Sequence, residues 1–173
     1  MPDPSALYQQ LSSDHIAALG RLARAYEADP EKRRDLLQDI HFGLWRSFEH
    51  FDGRCSLRTW IYRVAHNVAA THVSRQLRGK TIALVSLDEA EGLAHPSGGP
   101  AAVDMRQSLE RLFVLIQQLE PIDRQVIICY LEELDAAAIA EITGLSAANV
   151  ATKVHRIKNI LARRFHEGGQ RGE

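Results

Sequence analysis

Apolar residues recur through most of this chain at the spacing of one face of an α-helix. In the first half the spacing is plain in two runs: Leu37, Ile40, Leu44 and Phe48, and then Ile61, Val64, Ala65, Val68 and Ala69. The second run predicts a helix that continues to about Val73. Convincing strand alternation and internal repeats are lacking throughout the sequence, so the pattern predicts an all-α protein.

Residues that favour helix ends divide residues 5–78 into four or five helices. Asp14 is a candidate N-cap. Asp29-Pro30 should end one helix and open the next, because proline restricts the residue before it and fits the first turn after it. Asp52-Gly53 should break the run that ends at Phe48, and Ser56 can cap the next helix. These signals predict one helical domain over residues 5–78.

The helical pattern is lost between Gly79 and Asp104. His95-Pro-Ser-Gly-Gly-Pro100 has the composition of turns and linkers. Acidic residues are frequent in the same segment: Asp88, Glu89, Glu91 and Asp104. The composition predicts a flexible acidic linker over residues 79–104, which its charge either keeps solvated or lays along a basic surface.

Helical periodicity returns over residues 105–167, which we expect to form a second domain. Its first helix should end near Glu120, and its apolar positions are Met105, Leu109, Leu112, Phe113 and Ile116. Pro121 should start another helix, whose predicted buried face is Val126, Ile127, Tyr130 and Leu131. The fold class is therefore all-α, with two small helical domains joined by the acidic linker.

The segment from Asp135 to Val150 has the spacing of a helix-turn-helix. Asp135 can cap a short helix, Gly144 can end it in the left-handed conformation, and Ser146 can cap the second helix. The second helix should pack on the first through Val150, Val154, Ile157 and Leu161. Its opposite face is basic and polar, as in a recognition helix: Thr152, Lys153, His155, Arg156 and Lys158. An ordinary helical hairpin with a solvated basic face is the alternative.

The distribution of charge adds a candidate function. The 173 residues hold 21 Lys and Arg against 22 Asp and Glu, yet no acid occurs from Gly53 to Leu87 or from Ile142 to His166. A surface that approaches phosphates is weakened by carboxylates beside its cations. Two acid-free basic stretches therefore predict two contacts with nucleic acid, the alternative being chance clustering on solvated helix faces.

Other classes of protein find little support. The N-terminus lacks the pattern of a signal peptide, no run approaches the length of a membrane span, and Cys55 and Cys129 share no metal-binding spacing. We therefore expect a soluble, cytoplasmic protein with reduced thiols. No catalytic or metal-binding motif occurs in the sequence, which predicts no cofactor, no metal, no small-molecule substrate and no enzymatic activity of its own.

Two longer motifs resemble a known family. The strings Asp35–Trp45 and Phe51–Asn67 resemble conserved region 2 of bacterial extracytoplasmic-function (ECF) sigma factors, and the segment from Leu119 through the helix-turn-helix resembles their region 4. Both occur in the family's order on either side of a linker. The resemblance implies a protein that binds core RNA polymerase and that recognises and melts promoter DNA. Two small lobes on a flexible linker would, when free, expose the apolar and basic surfaces meant for polymerase and DNA, which predicts an anti-sigma factor that covers them.

The resemblance assigns the minus-ten element to the first acid-free stretch. Gly53–Ser56 would capture a flipped base, and the residues expected at this DNA are Phe51, Arg54, Arg58, Trp60, Tyr62, Arg63, His66 and Asn67. Interleaved aromatic and basic side chains suit single-stranded DNA, because bases stack on rings while cations meet phosphates. For Phe51 and Trp60 the alternative is a place in the hydrophobic core, and for Asn67 a helix-surface amide.

The same resemblance places the polymerase on the helix before it. Asp35, Gln38, Asp39 and Trp45 would contact the clamp helices of the largest catalytic subunit, with region 4 on the flap. The minus-thirty-five element would meet Asn149, Thr152, Lys153, His155, Arg156 and Lys158. Ala151 departs from the family, which commonly has a basic residue there, and this leaves the upstream sequence preference open.

Two other functions are consistent with parts of this sequence. A stand-alone helix-turn-helix regulator would explain residues 135–165 but not Asp35–Asn67. A sigma mimic that sequesters an anti-sigma factor would have no need of aromatic and basic residues at strand-opening positions, and Ala151 is its only support.

Overall fold

The structure is a computed structural model that describes residues 4–9, 11, 13–82 and 100–169, and these contain helices and turns but no strand. Four helices precede the gap and four follow it. In chain order they are α1 (Pro4–Gln9), α2 (Ser13–Tyr26), α3 (Pro30–Ser47), α4 (Leu57–Ile82), α5 (Pro100–Gln117), α6 (Pro121–Leu131), α7 (Ala136–Thr143) and α8 (Ala147–Gly169), with a 3-10 turn over Phe48–His50. The prediction of an all-α protein with two helical lobes is confirmed.

The N-terminal lobe packs α1–α4 around one core. Pro30 occupies the first turn of α3 as predicted, and Asp29 caps the helix, because its carboxylate accepts the amides of Glu31 and Lys32 at 2.8 and 3.2 Å. The buried face of α3 differs from the prediction by one residue. Leu36, Ile40 and Leu44 are fully buried, whereas Leu37 is only partly so.

Helix α4 is longer than the sequence pattern predicts. It begins after Ser56, whose hydroxyl accepts the amide of Thr59 at 3.0 Å, and it continues past Val73 to Ile82. Gly43 lets α3 approach it, since a Cβ at that position would lie 3.0 Å from Cγ2 of Val68. Helix α4 therefore extends into the first residues of the predicted linker. Helix α5 begins at Pro100, which lies before the predicted end of the linker at residue 104. Residues 83–99 lie outside the described part of the chain.

The C-terminal lobe contains the predicted helix-turn-helix. Asp135 accepts the amide of Ala138 at 2.7 Å, Gly144 is left-handed with a φ of 76°, and Ser146 accepts the amide of Asn149 at 3.2 Å. The apolar stripe of α8 packs against α7, with Val150, Ile157 and Leu161 buried. These predictions are confirmed.

The predicted buried face of α6 is half wrong. Val126 and Ile127 are buried, but Tyr130 and Leu131 are exposed, and Ile128 and Cys129 take their place in the core. The apolar run in α6 is continuous, so its periodicity does not tell which residues face inward. Packing against α8 and α7 within the lobe, and against α2 and α4 of the other lobe, decides it.

The two lobes lie against each other. Helix α2 contacts α5 and α6, and α4 contacts α6 and α7. Cys129 of α6 stands at the centre of this contact, with its sulfur 3.2 Å from Nε2 of His66 on α4. Within the described residues, no helix combines the length and the apolar character needed to cross a bilayer.

Candidate nucleic-acid and polymerase interfaces

The loop before α4 presents the first candidate DNA site. Gly53 adopts a φ of 74°, and the carboxylate of Asp52 accepts the amide of Arg54 at 3.1 Å. The side chain of Arg54 is 89% exposed and pairs with Asp52 at 2.9 Å. Cys55 in this loop is partly buried, and burial raises the pKa of its thiol, which makes the thiolate less available for oxidation.

The aromatic residues predicted to meet the minus-ten element are largely enclosed. Phe51 is buried and meets Trp60 edge to face at 5.4 Å, while the indole of Trp60 donates to the Ser47 hydroxyl at 3.0 Å. Only 2% of Tyr62 is exposed. In this arrangement Phe51 and Tyr62 are core residues. The sequence left this alternative open for Phe51, but a place in the core was not expected for Tyr62.

The basic residues of the same set contact the C-terminal lobe. Arg58 donates to the backbone carbonyl of Glu132, and Arg63 lies 3.7 Å from the carboxylate of Glu141. The sequence suggested that these two arginines lack acidic partners, because no acid is near them in the chain. The structure corrects this expectation for Arg63, whose partner comes from the other lobe. Arg54 and Asn67 remain exposed.

Glu132 makes several of the polar contacts between the lobes. Its carboxylate accepts both Nε and a terminal nitrogen of Arg21, at 2.5 and 2.7 Å, and the hydroxyl of Tyr62 at 3.2 Å. This pairing raises the pKa of Arg21, and burial together with the charge of Glu132 raises the pKa of Tyr62. A pocket of about 430 Å³ opens beside these residues, at the junction of the lobes.

His66 is buried between the lobes and is not exposed to any DNA in this arrangement. Only 1% of the residue is accessible, and its Nδ1 lies 2.8 Å from the hydroxyl of Tyr26. Burial lowers the pKa of His66 to about 3, so the imidazole is neutral at physiological pH. Burial also raises the pKa of the neighbouring Cys129 to about 12. The pair is a neutral hydrogen-bonded contact.

The predicted polymerase-binding residues share one exposed face of α3. Asp35, Gln38 and Asp39 are exposed, and Trp45 is 49% exposed further along. Phe42, which was not among the residues predicted from the sequence, is 60% exposed on the same helix with the guanidinium of Arg46 over its ring. Its helical spacing from Asp35, Gln38 and Asp39 was the signal that could have found it.

Helix α8 presents the second candidate DNA site. Asn149, Thr152, His155 and Lys158 are exposed as predicted, and Lys158 reaches the hydroxyl of Tyr130 at 3.3 Å. Lys153 and Arg156 instead pair with a carboxylate of α6, that of Asp123, at 2.6 and 2.5 Å. The helix has no acid before Glu167, but this contact shows that its basic face is not free of carboxylates.

Comparison with known proteins matches both lobes. The family described as "Sigma-70 region 2" matches residues 11–79, and the family described as "Sigma-70, region 4" matches residues 109–161. The sigma-H factor of Pseudomonas aeruginosa is 30% identical over 135 residues, which cover 78% of this chain and 67% of that protein. The ECF sigma factor SigG of Mycobacterium tuberculosis (strain H37Rv) is 26% identical over 148 residues, which cover 73% of this chain and 40% of SigG. The chain thus spans about two fifths of the length of SigG.

Two solved structures share the fold of this chain. The sigma factor RpoE of Bartonella quintana, solved in complex with the anti-sigma factor NepR, aligns with a TM-score of 0.72 at 20% identity and covers 92% of this chain and 95% of that one. CnrH, solved with the cytosolic domain of CnrY, aligns with a TM-score of 0.66 over 92% of this chain and 88% of its own. At this identity the likeness concerns the fold alone. The two sigma-70 regions in order, and the relatives that match them, establish that this chain belongs to the ECF family of RNA polymerase sigma factors.

Proposed function

We propose that this protein binds core RNA polymerase and directs it to promoters, where it recognises the DNA, helps to melt it and so starts transcription. It acts in the cytoplasm by binding rather than by catalysis of its own. One observation carries the proposal: two lobes that match regions 2 and 4 each present a basic helix, and residues 57–82 of α4 and 147–166 of α8 contain no acid.

The face of α3 supports the contact with polymerase. The exposed carboxylates of Asp35 and Asp39 lie on the same face of α3 as the exposed rings of Phe42 and Trp45. Aromatic anchors with charges around them are typical of protein interfaces, where the rings contribute affinity and the charges set orientation and association rate. A basic helical surface on the polymerase would complement this face.

The loop and α8 support the two contacts with DNA. Arg54 is exposed at the left-handed turn of Gly53, at the position from which the family captures an unstacked base. Helix α8 presents Asn149, Thr152 and His155 along one exposed face, as a helix that enters a major groove requires. Four other members of the predicted DNA set contact the C-terminal lobe and are released only when the lobes separate: Arg58, Tyr62, Arg63 and His66.

A protein partner is part of the proposal. Arg58, Tyr62 and His66 are occupied by the contact between the lobes, so the closed arrangement is incompatible with their use at the minus-ten element. We propose that an anti-sigma factor stabilises this chain away from polymerase, as the partners named for the two solved neighbours suggest.

Transcription by a reconstituted enzyme tests the function. Purified protein is added to core RNA polymerase and a library of bacterial promoters, and transcripts are mapped by sequencing. A sigma factor yields transcripts with shared upstream elements. A decoy binds an anti-sigma factor and yields none, whereas a stand-alone regulator binds duplex DNA without polymerase, and either result would reject the proposal.

Promoter opening should depend on Arg54. Arg54→Glu replaces an exposed cation with an anion beside the phosphates of the melted strand, so we expect open complexes to fall at least tenfold while holoenzyme assembly is unchanged. Permanganate reactivity of unpaired thymines measures the opening. The matched control is Arg164→Glu, which reverses an exposed charge beyond the region 4 match. Equal melting by both variants would exclude Arg54 from the site.

A further inference from the structure

The two cations of α8 expected to contact DNA are joined by one carboxylate. Oδ1 of Asp123 accepts the ammonium of Lys153 at 2.6 Å, and Oδ2 accepts the guanidinium of Arg156 at 2.5 Å. The aspartate belongs to α6, in its first helical turn. Each carboxylate oxygen therefore holds a different cation, and the two side chains are fixed relative to each other.

The burial of the three side chains is graded. Asp123 is 9% exposed, Lys153 24% and Arg156 55%. The carboxylate thus lies beneath the cations, and the guanidinium of Arg156 projects farthest toward solvent. Two positive charges over one negative charge leave a surface that still attracts DNA.

This arrangement favours base contacts over phosphate contacts. A phosphate that draws Lys153 or Arg156 away would leave the poorly hydrated carboxylate of Asp123 without a partner, which is costly. A guanine edge needs no such displacement, because a guanidinium has five N–H donors and keeps several free while one bonds to Asp123. Ordering the long side chains beforehand also lowers the entropy cost of binding a base.

We propose that Asp123 is a positioning residue that sets the sequence selectivity of α8. It directs Arg156 toward the base edges and restrains Lys153 and Arg156 from binding phosphates of any sequence. The inference rests on the proposed function, since it requires α8 to contact promoter DNA.

The test compares Asp123→Asn with wild type as the complete chain in holoenzyme. The probes are a duplex selected by the wild-type holoenzyme from a randomised library and a scrambled duplex of the same length. Asparagine keeps the shape of the side chain but removes its charge. We expect binding to the scrambled duplex to strengthen, the selectivity ratio to fall about fivefold or more, and the slope of log affinity against log salt to steepen by about one to two units.

Two variants separate positioning from general electrostatics. Glu120→Gln removes an exposed carboxylate just before the same helix and should leave the selectivity ratio and the salt slope as in wild type. Asp123→Glu keeps the charge on a longer arm and should restore most of the selectivity. If Asp123→Asn does not fold, as judged by its thermal unfolding, Asp123→Glu must still lower the ratio measurably below wild type.

The outcomes distinguish this inference from the proposed function. If wild type discriminates between the duplexes and Asp123→Asn changes its ratio and slope no more than Glu120→Gln does, Asp123 has no positioning role and the sigma function stands. Where Asp123→Asn does not fold, a folded Asp123→Glu with an unchanged ratio overturns the inference in the same way. If wild-type holoenzyme does not discriminate at all, the proposed function fails, and the inference with it.

Discussion

At the scale of single residues, burial of a histidine makes the stability of the fold depend on pH. His66 is neutral in the folded protein, because burial lowers its pKa to about 3 against an ordinary value of 6.5. Between about pH 3 and pH 6.5, His66 is protonated in the unfolded chain but stays neutral in the folded chain. The stability contributed by the neutral form is therefore complete above about pH 6.5 and declines as the pH falls.

We expect the free energy of unfolding to fall by up to about 1.4 kcal/mol per pH unit below about pH 6.5. Urea titrations at pH 7.5, 6.5 and 5.5 measure the decline, and His66→Asn should flatten it. The control is His155→Asn on the exposed face of α8, which should retain the wild-type slope. The free energy of unfolding should still vary somewhat with pH in both variants, because burial also lowers the pKa of His41. A wild-type slope in His66→Asn would show that His66 is not responsible.

Individual residues of the site differ in how far the sequence could reveal them. Arg54 was predictable, because its exposure follows from a local turn. Asp123 was not, because it lies 30 residues from Lys153 and 33 from Arg156, and only the packing of α6 on α8 brings the three together. Tyr62 also escaped prediction, since an aromatic residue on a basic helix is equally consistent with stacking on bases and with burial.

At the scale of elements, helix ends were the most predictable features. The caps by Asp29, Ser56, Asp135 and Ser146 each depend on residues within three positions, so the local sequence contains all the information. The end of α4 was not predictable in this way. Its apolar periodicity fades after Val73, but no proline follows to stop the backbone, and the helix continues to Ile82.

The turn of the helix-turn-helix should depend on the conformation of Gly144. Its φ is 76°, yet a Cβ there would meet nothing within 4 Å, so Gly144→Ala isolates the backbone cost of the left-handed region, about 1–2 kcal/mol of destabilisation. The matched control is Gly20→Ala inside α2, where a Cβ also has open space. Alanine should stabilise that site by about 0.5–1 kcal/mol. Chemical denaturation of both variants gives the comparison, and effects of the same sign would refute the conformational explanation.

At the scale of the whole molecule, the arrangement of the lobes was beyond the reach of sequence analysis. The contacts that join them connect residues far apart in the chain, such as Arg21 with Glu132 at a separation of 111. They also use residues that the sequence assigns to DNA, namely Arg58, Tyr62 and His66. Patterns of periodicity describe each helix but not which lobe covers which surface.

The backbone after α6 explains why Glu132 faces the other lobe. Glu133 takes a φ of 59°, which is unusual for a residue other than glycine, and its amide bonds to the carbonyl of Tyr130 at 3.0 Å. The amide of Leu134 bonds to the carbonyl of Cys129 at 3.1 Å, which completes a Schellman motif. This tight ending holds Glu132 beside Arg21 and Tyr62, while Glu133 is exposed.

Loss of the Glu132 charge should open the molecule. Glu132→Gln weakens the paired hydrogen bonds from Arg21 and removes the negative charge that attracts the guanidinium. We expect this to destabilise the closed state by about 1–3 kcal/mol, less than for a fully buried ion pair, because the side chain of Arg21 is half exposed. Small-angle X-ray scattering of the free chain should then show a larger radius of gyration. Binding to a single-stranded oligonucleotide should strengthen several-fold, because opening releases Arg58 and Tyr62.

Glu133→Gln is the control, since it removes one negative charge at the adjacent exposed position and should change neither the scattering nor the binding beyond a small electrostatic effect. Opening without a gain in single-strand affinity would show that Arg58 and Tyr62 take no part in DNA binding. An unchanged radius would instead show that apolar packing around Cys129 holds the lobes together without Glu132. The scattering tests whether Glu132 holds the lobes together, and the binding tests whether the closed arrangement covers residues that bind DNA. Because either hypothesis can be wrong while the other is right, the two measurements distinguish them.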